Sequence, residues 1–197
     1  MHYQFTWPET ATSLRLALAE DAFYQTMQEA ANNDPVLLEA YLDFSMKEAQ
    51  QYGILELADP TEAGAAIWSL PLDEETSHEK SAAKSAFIEY HMGHEALTTY
   101  KAIVSHMDQQ ANGTVEADDW YLSILGINPN LQGSGQGKRL LRKALNDADQ
   151  AGKACFLETF TPKNMSFYAQ LGFIAVHQAY EPTAGKHYWI MRRLPKN

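Results

Sequence analysis

The run Gln132-Gly133-Ser134-Gly135-Gln136-Gly137-Lys138 sets three glycines at alternate positions. An apolar, strand-like segment precedes it, Trp120 to Ile127, and an amphipathic segment follows, Arg139 to Gln150. A strand, a Gly-rich turn and a helix start together present free backbone N–H groups to an anion. Glycine removes the side chains that would block a close approach. Ser134 adds a hydroxyl, and Lys138 or Arg139 adds charge outside the turn. The P-loop pattern fails, because Lys138 is followed by Arg139 rather than by a hydroxyl residue. The dinucleotide pattern GxGxxG fails as well: it needs a glycine at Leu140 if begun at Gly135, or at Lys138 if begun at Gly133. The chemistry indicated is the binding of a phosphate-bearing cofactor other than ATP or NAD.

Other residues have weaker signatures. Glu158 ends the apolar stretch Cys155 to Glu158, at the strand end where open parallel sheets place ligands. A carboxylate there can take a proton, bind an ammonium group or orient a loop. Trp68 follows an apolar strand, where it lines a ligand pocket or packs in the core. Cys155 sits between Ala154 and Phe156 with no histidine nearby in sequence, which suits packing rather than nucleophilic chemistry. His91 and His94 are three apart, but His91-Met92-Gly93-His94-Glu95 is not the His-Glu-x-x-His of zinc hydrolases. No metal is expected.

The elements that must hold these residues can be read from spacing. Phe5 to Glu9 is a short strand or an irregular arm. Ser13 to Ala30 reads as one helix with Leu14, Leu18, Phe23 and Met27 on a stripe. Pro35 suits the first turn of a second helix, which Gly53 closes. Ile54 to Ala58 and Gly64 to Leu70 read as an antiparallel hairpin across the turn Asp59 to Glu62. Ser77 to Gln110 is helical, in two pieces broken near Gly93. Trp120 to Ile127 is the central strand, stopped by Asn128-Pro129-Asn130. Gln136 to Asp149 is a helix, and the crossover makes the strand at Cys155 parallel to the one before it. Asn164 to Gln170 is a short helix capped by Asn164. Phe173 to Tyr180 and His187 to Met191 form a closing hairpin.

The chain has 197 residues, 45% of them apolar, which suits one globular domain over 1–197. No run approaches 18 apolar residues and Met1 to Phe5 has no signal-peptide character, so neither a membrane span nor export is expected, and the expected location is cytoplasmic. One cysteine fits a reducing compartment. A net charge of −10 argues against nucleic-acid binding. The charge is divided unevenly: residues 1–127 hold 21 acidic and 5 basic side chains, residues 128–197 hold 4 and 10. The basic part contains the proposed phosphate loop. The acidic part favours a cationic acceptor or serves solubility.

Gln132-x-x-Gly135-x-Gly137 resembles the pyrophosphate loop of the GCN5-related N-acetyltransferases (GNAT). Leu157-Glu158-Thr159 and Asn164 to Phe173, with Phe167-Tyr168 and Gly172-Phe173, resemble the second signature of that superfamily. With Gly64-Ala65-Ala66-Ile67-Trp68 added, the chain is most similar to the puromycin N-acetyltransferase-like group. The likeness is clear over 119–193, loose over 60–118 and faint before that. It implies a mixed α/β fold, a central, mostly antiparallel sheet with one parallel pair splayed apart, flanked by helices. It assigns residues 119–193 to an acetyl-CoA core and 1–118 mainly to the acceptor side. It implies acetyl-CoA as cofactor, held by the backbone of Leu125, Gly126 and Ile127, by Gln132, Gly133, Ser134, Gly135, Gln136, Gly137 and Lys138, and by Asn164. Tyr168 would lie near the cofactor sulfur as general acid, with Glu158 as general base or acceptor contact and Trp68 lining the acceptor pocket. The implied reaction is direct acetyl transfer to a primary amine of a small molecule, by a monomer or homodimer. A protein N-terminus or lysine is the alternative acceptor, and an acyl-CoA-binding domain without turnover is the non-enzyme alternative.

Overall fold

The computed structural model describes residues 3–58 and 63–196. Residues 3–7 form an irregular arm, and Pro8 opens helix α1, Pro8–Ala17. Helix α2 is Ala22–Ala30 and α3 is Pro35–Tyr52. The expected single helix over 13–30 is therefore two. The stripe of Leu14, Leu18, Phe23 and Met27 is real, but Asp21 interrupts it by accepting the Phe23 N–H at 3.0 Å as the N-cap of α2. Asp34 caps α3 in the same way, with Pro35 in the first turn. Strand β1, Gly53–Leu57, pairs antiparallel with β2, Gly64–Ser69. The expected turn at 59–62 lies outside the described residues. Helix α4, Glu74–His91, begins at Asp73, which accepts from Thr76 N at 2.9 Å. Gly93, at φ 96°, separates it from α5, His94–Ala111.

Strand β3 is Trp120–Ile127, helix α6 Gln136–Gln150 and β4 Cys155–Thr159. A 3-10 turn, Pro162–Asn164, leads into the short helix α7, Met165–Ala169. Asn164 stands at the cap position, but its side chain makes no capping hydrogen bond. The chain closes with the hairpin of β5, Ile174–Glu181, and β6, Lys186–Arg193. The six strands are ordered β1-β2-β3-β4-β6-β5, and only β3 and β4 are parallel.

Period-two alternation divides the side chains between two faces. On one face Ala66, Trp68, Leu122, Cys155 and Leu157 pack under Leu141, Ala144 and Leu145 of α6. On the other, Ala65, Ile67 and Ile124 meet Leu14, Leu42, Met46 and Ile88 of the N-terminal helices. Further along that face, Tyr188 and Ile190 of β6 meet Ile103 and Met107 of α5. Asp43 of α3 is fully buried and accepts from Tyr3 Oη, Thr6 N and Trp7 N, tying the arm down ahead of α1. At the other end of the chain, Arg193, 3% exposed, is clamped to Asp149 of α6 by two bonds of 2.8 and 2.6 Å.

Candidate active site

The two parallel strands stay together only briefly. Trp120, Tyr121 and Leu122 pair with Cys155, Phe156 and Leu157, and there the ladder stops. Beyond it β3 continues to Ile127, held on one side by β2 through Ile124↔Ile67, Leu125↔Ala66, Gly126↔Ala65 and Ile127↔Gly64. Its other side has no strand among the described residues, so backbone groups of Leu125 and Gly126 there are open to pair with a ligand. A groove of about 630 Å³ opens along this edge, bounded by Leu125, Gly126 and Ile127, by the Gly-rich loop, and by Asn164, Phe167 and Tyr168 of the α7 region. Residues Leu16 to Asp21, at the break between α1 and α2, form its remaining wall. A Cβ at Gly126 would stand 2.8 Å from Leu14 Cδ2 and 3.1 Å from Ala17 Cβ, so glycine lets α1 lie this close to β3 without displacing those side chains.

The loop is held to the strand by its own side chains. Gln132 Nε2 donates to the Ile127 carbonyl at 3.0 Å. Ser134 Oγ donates to the Leu131 carbonyl at 2.7 Å, so the hydroxyl folds back on the loop and Ser134 does not line the groove. Gly133 and Gly135 have φ of 80° and 82°, and a Cβ at either would meet nothing within 4 Å. They serve the left-handed backbone and an open approach, not packing. The first N–H bonded within this turn is that of Arg139, to Gly135 O at 3.1 Å. The preceding N–H groups at the α6 start are thus available to an anion, next to the positive end of a 15-residue helix. Lys138 borders the same groove and donates to Gln170 Oε1 at 2.7 Å. Gln136 borders this groove and a smaller cavity beside Leu57 and Ala58, and its side-chain oxygen is buried without a partner among the described residues. Free N–H groups, an unpaired strand edge and an orphaned amide suit a long ligand with a pyrophosphate and an amide-bearing arm.

Tyr168 is 9% exposed and borders the groove, and Phe167 is half-buried beside it with ring centroids 5.2 Å apart. Tyr168 is thus the more buried of the two rings. Burial, then the negative charge of Asp21, raises the Tyr168 hydroxyl well above the usual tyrosine range.

A second cavity, about 450 Å³, lies on the face of the sheet covered by α2 to α5. Asp21 lines both cavities. Glu158 borders this one, accepting from Tyr121 Oη at 3.0 Å through Oε2, while its Oε1 is buried with no partner among the described residues. Burial pushes the Glu158 carboxyl up to about 7, against the Tyr121 hydrogen bond and with a smaller push from Asp108. Asp21 is pushed up to about 6 by burial, opposed by the backbone N–H groups of Phe23, Tyr24 and Phe160. Aromatic walls complete the cavity: Phe23, Tyr24, Tyr41, Tyr100, Tyr121 and Phe160.

The structure therefore brings Leu125, Gly126, Ile127, Gln132, Gly133, Gly135, Gln136, Gly137, Lys138, Asn164 and Tyr168 around one groove and sets Glu158 on the adjoining cavity. Trp68 departs from expectation. It is fully buried against the α6 layer, because its neighbours Ile67 and Ser69 take the cavity face of β2. Of the closing hairpin, Tyr188 is buried against Phe160 and His187 lies outside against Tyr180, so neither lines the cavity. Cys155 is fully buried and its thiol is pushed up to about 12 by burial, which leaves it unreactive at neutral pH. His91 packs on Tyr3 and Phe87, and His94 pairs with Glu89. Among the described residues, no three His, Cys, Asp or Glu side chains cluster as metal ligands.

Three acidic residues of this cavity, Asp21, Glu48 and Asp108, escaped the sequence reading, and Glu48 has no signal beyond its charge. Asp21 has a local signal, an N-cap type inside an apolar helical stripe. Asp108 has none beyond its charge.

Residues 57–191 match the family model of the acetyltransferase (GNAT) domain. Among solved structures, the chain is similar to arylalkylamine N-acetyltransferase 2 from Aedes aegypti, with 18% identity and a TM-score of 0.60 over 96% of this chain and 94% of that one. It is similar in the same degree, 18% and 0.60, to a histone acetyltransferase HPA2 and related acetyltransferase from Corynebacterium glutamicum, over 97% and 92% of the two chains.

Proposed function

Because the chain belongs to the GNAT acetyltransferase family, whose members use acetyl-CoA as donor, we propose that its acceptor is the primary amine of a small molecule. The observation that carries this reading is the acidic, aromatic cavity of about 450 Å³ that meets the donor groove at Asp21. Its size is that of small-molecule sites, which run from about 300 to 1,000 Å³. Its carboxylates and ring faces suit an organic ammonium group. The arylalkylamine named for the Aedes protein is of this chemical class. The likeness to the puromycin-like group, resting on Gly64 to Trp68 and the two signatures, belongs to the same reading.

When bound, acetyl-CoA supplies an activated acetyl thioester. The N–H groups of the Gly133–Gly137 loop and the start of α6 would hold its pyrophosphate, and the free edge of Leu125–Ile127 its amide-bearing arm. Gln132 keeps the loop against β3, and Lys138 and Asn164 border the same path. Glu158 Oε1 takes the proton that the amine must lose to become a nucleophile. The bound thioester would supply its acetyl group to the amine nitrogen and leave CoA as the thiol. Tyr168 Oη, kept protonated by its environment, supplies a proton to the departing thiolate. Backbone N–H near Gly126 meets the charge on the carbonyl oxygen.

Acetyl-CoA-dependent thiol release, measured across small amines and peptides with free N-termini or lysines, tests the reading. Turnover with at least one small amine above the rate without acceptor is expected. Turnover with peptides alone would replace the acceptor assignment, and turnover with neither would leave a domain that binds without transferring.

A further inference from the structure

Ser77, Lys80, Ser81 and Lys84 of α4 fall at i, i+3, i+4 and i+7, and all four line the acceptor cavity. A polar helix face normally turns its lysines to solvent. Here the arrangement is inverted. Both lysines of α4 face the cavity, while its glutamates, Glu74, Glu75, Glu79 and Glu89, do not line it. Residues 1–127 contain only five basic side chains, so two of the five stand at this one cavity.

The two cations are held differently. Lys84 is 6% exposed, donates to Ser45 Oγ at 2.8 Å and pairs with Glu48 at 3.2 Å, with its ammonium over the rings of Tyr41 and Phe44. Its charge is compensated. Lys80 is half-buried, donates to Ser69 Oγ at 3.2 Å and has no carboxylate within ion-pair distance among the described residues. Burial lowers Lys84 from its usual range and Lys80 lowers it further, so an anion beside the two would favour the charged form of Lys84. The serine hydroxyls add neutral donors to the same surface. Asp21, Asp108 and Glu158, with Glu48 paired to Lys84, supply the negative part of the lining.

From this we infer that the acceptor carries a second group besides its amine: an oxyanion, seated on Lys80, Ser77 and Ser81 of α4. The inference rests on the small-amine reading above and narrows it to amines with a distal carboxylate or a phosphate-type group. Lys80 acts as a specificity residue, and it takes no part in the bond changes.

The test uses the intact protein and a matched panel: 4-aminobutyrate, 5-aminovalerate and 6-aminohexanoate, their carboxamides, and 3-aminopropylphosphonate. For at least one skeleton, kcat/KM for the anionic compound should exceed that of its uncharged amide by about tenfold or more. Lys80→Met should bring the two within about twofold, chiefly through KM, and leave the amide unchanged. Lys143→Met, exposed on α6 across the sheet from this cavity, controls for net charge and should have no effect. Calorimetric titration of the CoA-saturated protein should show the same preference in Kd and the same loss in Lys80→Met. A preference for carboxylate or for phosphonate identifies the oxyanion, and either supports the inference. Equal use of acid and amide, or an equal loss of both in Lys80→Met, overturns it while leaving the small-amine reading intact. Turnover of none of the panel or of any plain amine overturns both.

Discussion

Tyr121 donates a 3.0 Å hydrogen bond to Glu158 at the last point where the two parallel strands still run side by side. Tyr121 pairs in register with Phe156, and Glu158 lies just past the final pair, Leu122↔Leu157. The carboxylate thus stands where the sheet opens, with one oxygen held and the other without a partner. The held oxygen limits how far burial can raise the group. Tyr121→Phe removes that restraint. A hydrogen bond to a charged group contributes about 1.5–3 kcal/mol, so the pH inflection of kcat/KM should move upward from about 7 by about one to two units. A pH–rate profile checks this, and an unmoved inflection would detach Tyr121 from the titrating group.

Glu158→Gln should abolish the rising limb that passes through about pH 7, because a base works only when deprotonated. Partial rescue is expected at high pH, where more of the amine is already neutral. The same substitution has a stability consequence of definite sign. The folded pKa lies above the unfolded one, so the folded state binds more protons between the two values. The burial penalty is absent below the ordinary carboxyl value of 4.5 and fully present above about 7. Glu158→Gln should therefore stabilise the protein by about 1–3 kcal/mol more at pH 8 than at pH 4. Denaturant melts at the two pH values measure it.

Tyr168→Phe keeps the ring and its packing against Phe167 and Phe173. With the proton donor gone, kcat should fall by about 10–1000-fold while Kd for acetyl-CoA stays within a few-fold. Single-turnover kinetics beside a binding titration separate the two quantities. Full turnover would remove the acid role.

Gly135→Val tests the loop. A Cβ at this position meets no other atom, so packing in the free protein is preserved. The left-handed φ of 82° adds a local strain of about 1–2 kcal/mol. Acetyl-CoA affinity should fall by more than about tenfold, as a branched side chain enters the anion's path. Titration calorimetry on the folded variant measures this, and unchanged affinity would move the phosphate site elsewhere.

Asp149→Ala concerns stability alone. It leaves the guanidinium of Arg193, 3% exposed, without its bidentate partner. Loss of one member of a buried pair destabilises by about 3–5 kcal/mol. Urea unfolding should show it, with donor affinity at the distant loop unchanged in the folded fraction.

Much of this site could be read along the chain because its determinants are local. Trp120 to Ile127 alternates into a strand with the bounds observed, and the glycine spacing announces the loop that follows. The β1–β2 and β5–β6 hairpins and the break at Gly93 follow from turn residues in the same way. What depends on tertiary placement stayed hidden. Alternation says that Ile67 and Trp68 point to opposite faces, but not which face holds the cavity, and Trp68 proved to be core. The Ser77–Lys84 face reads as an ordinary solvated stripe until α4 is laid against the sheet. The break before Asp21 carries neither glycine nor proline, so the apolar stripe masked it.

That break has a consequence for how the two sites are coupled. Asp21 belongs to both cavities, and its charge acts on Tyr24 in one and on Tyr168 in the other. A donor that changes the protonation or solvation of Asp21 alters the affinity for the acceptor by some factor, and the acceptor must alter donor affinity by that same factor. The two ligands are then thermodynamically linked through a single carboxylate, and a change at residue 21 that weakens the coupling in one direction weakens it equally in the other.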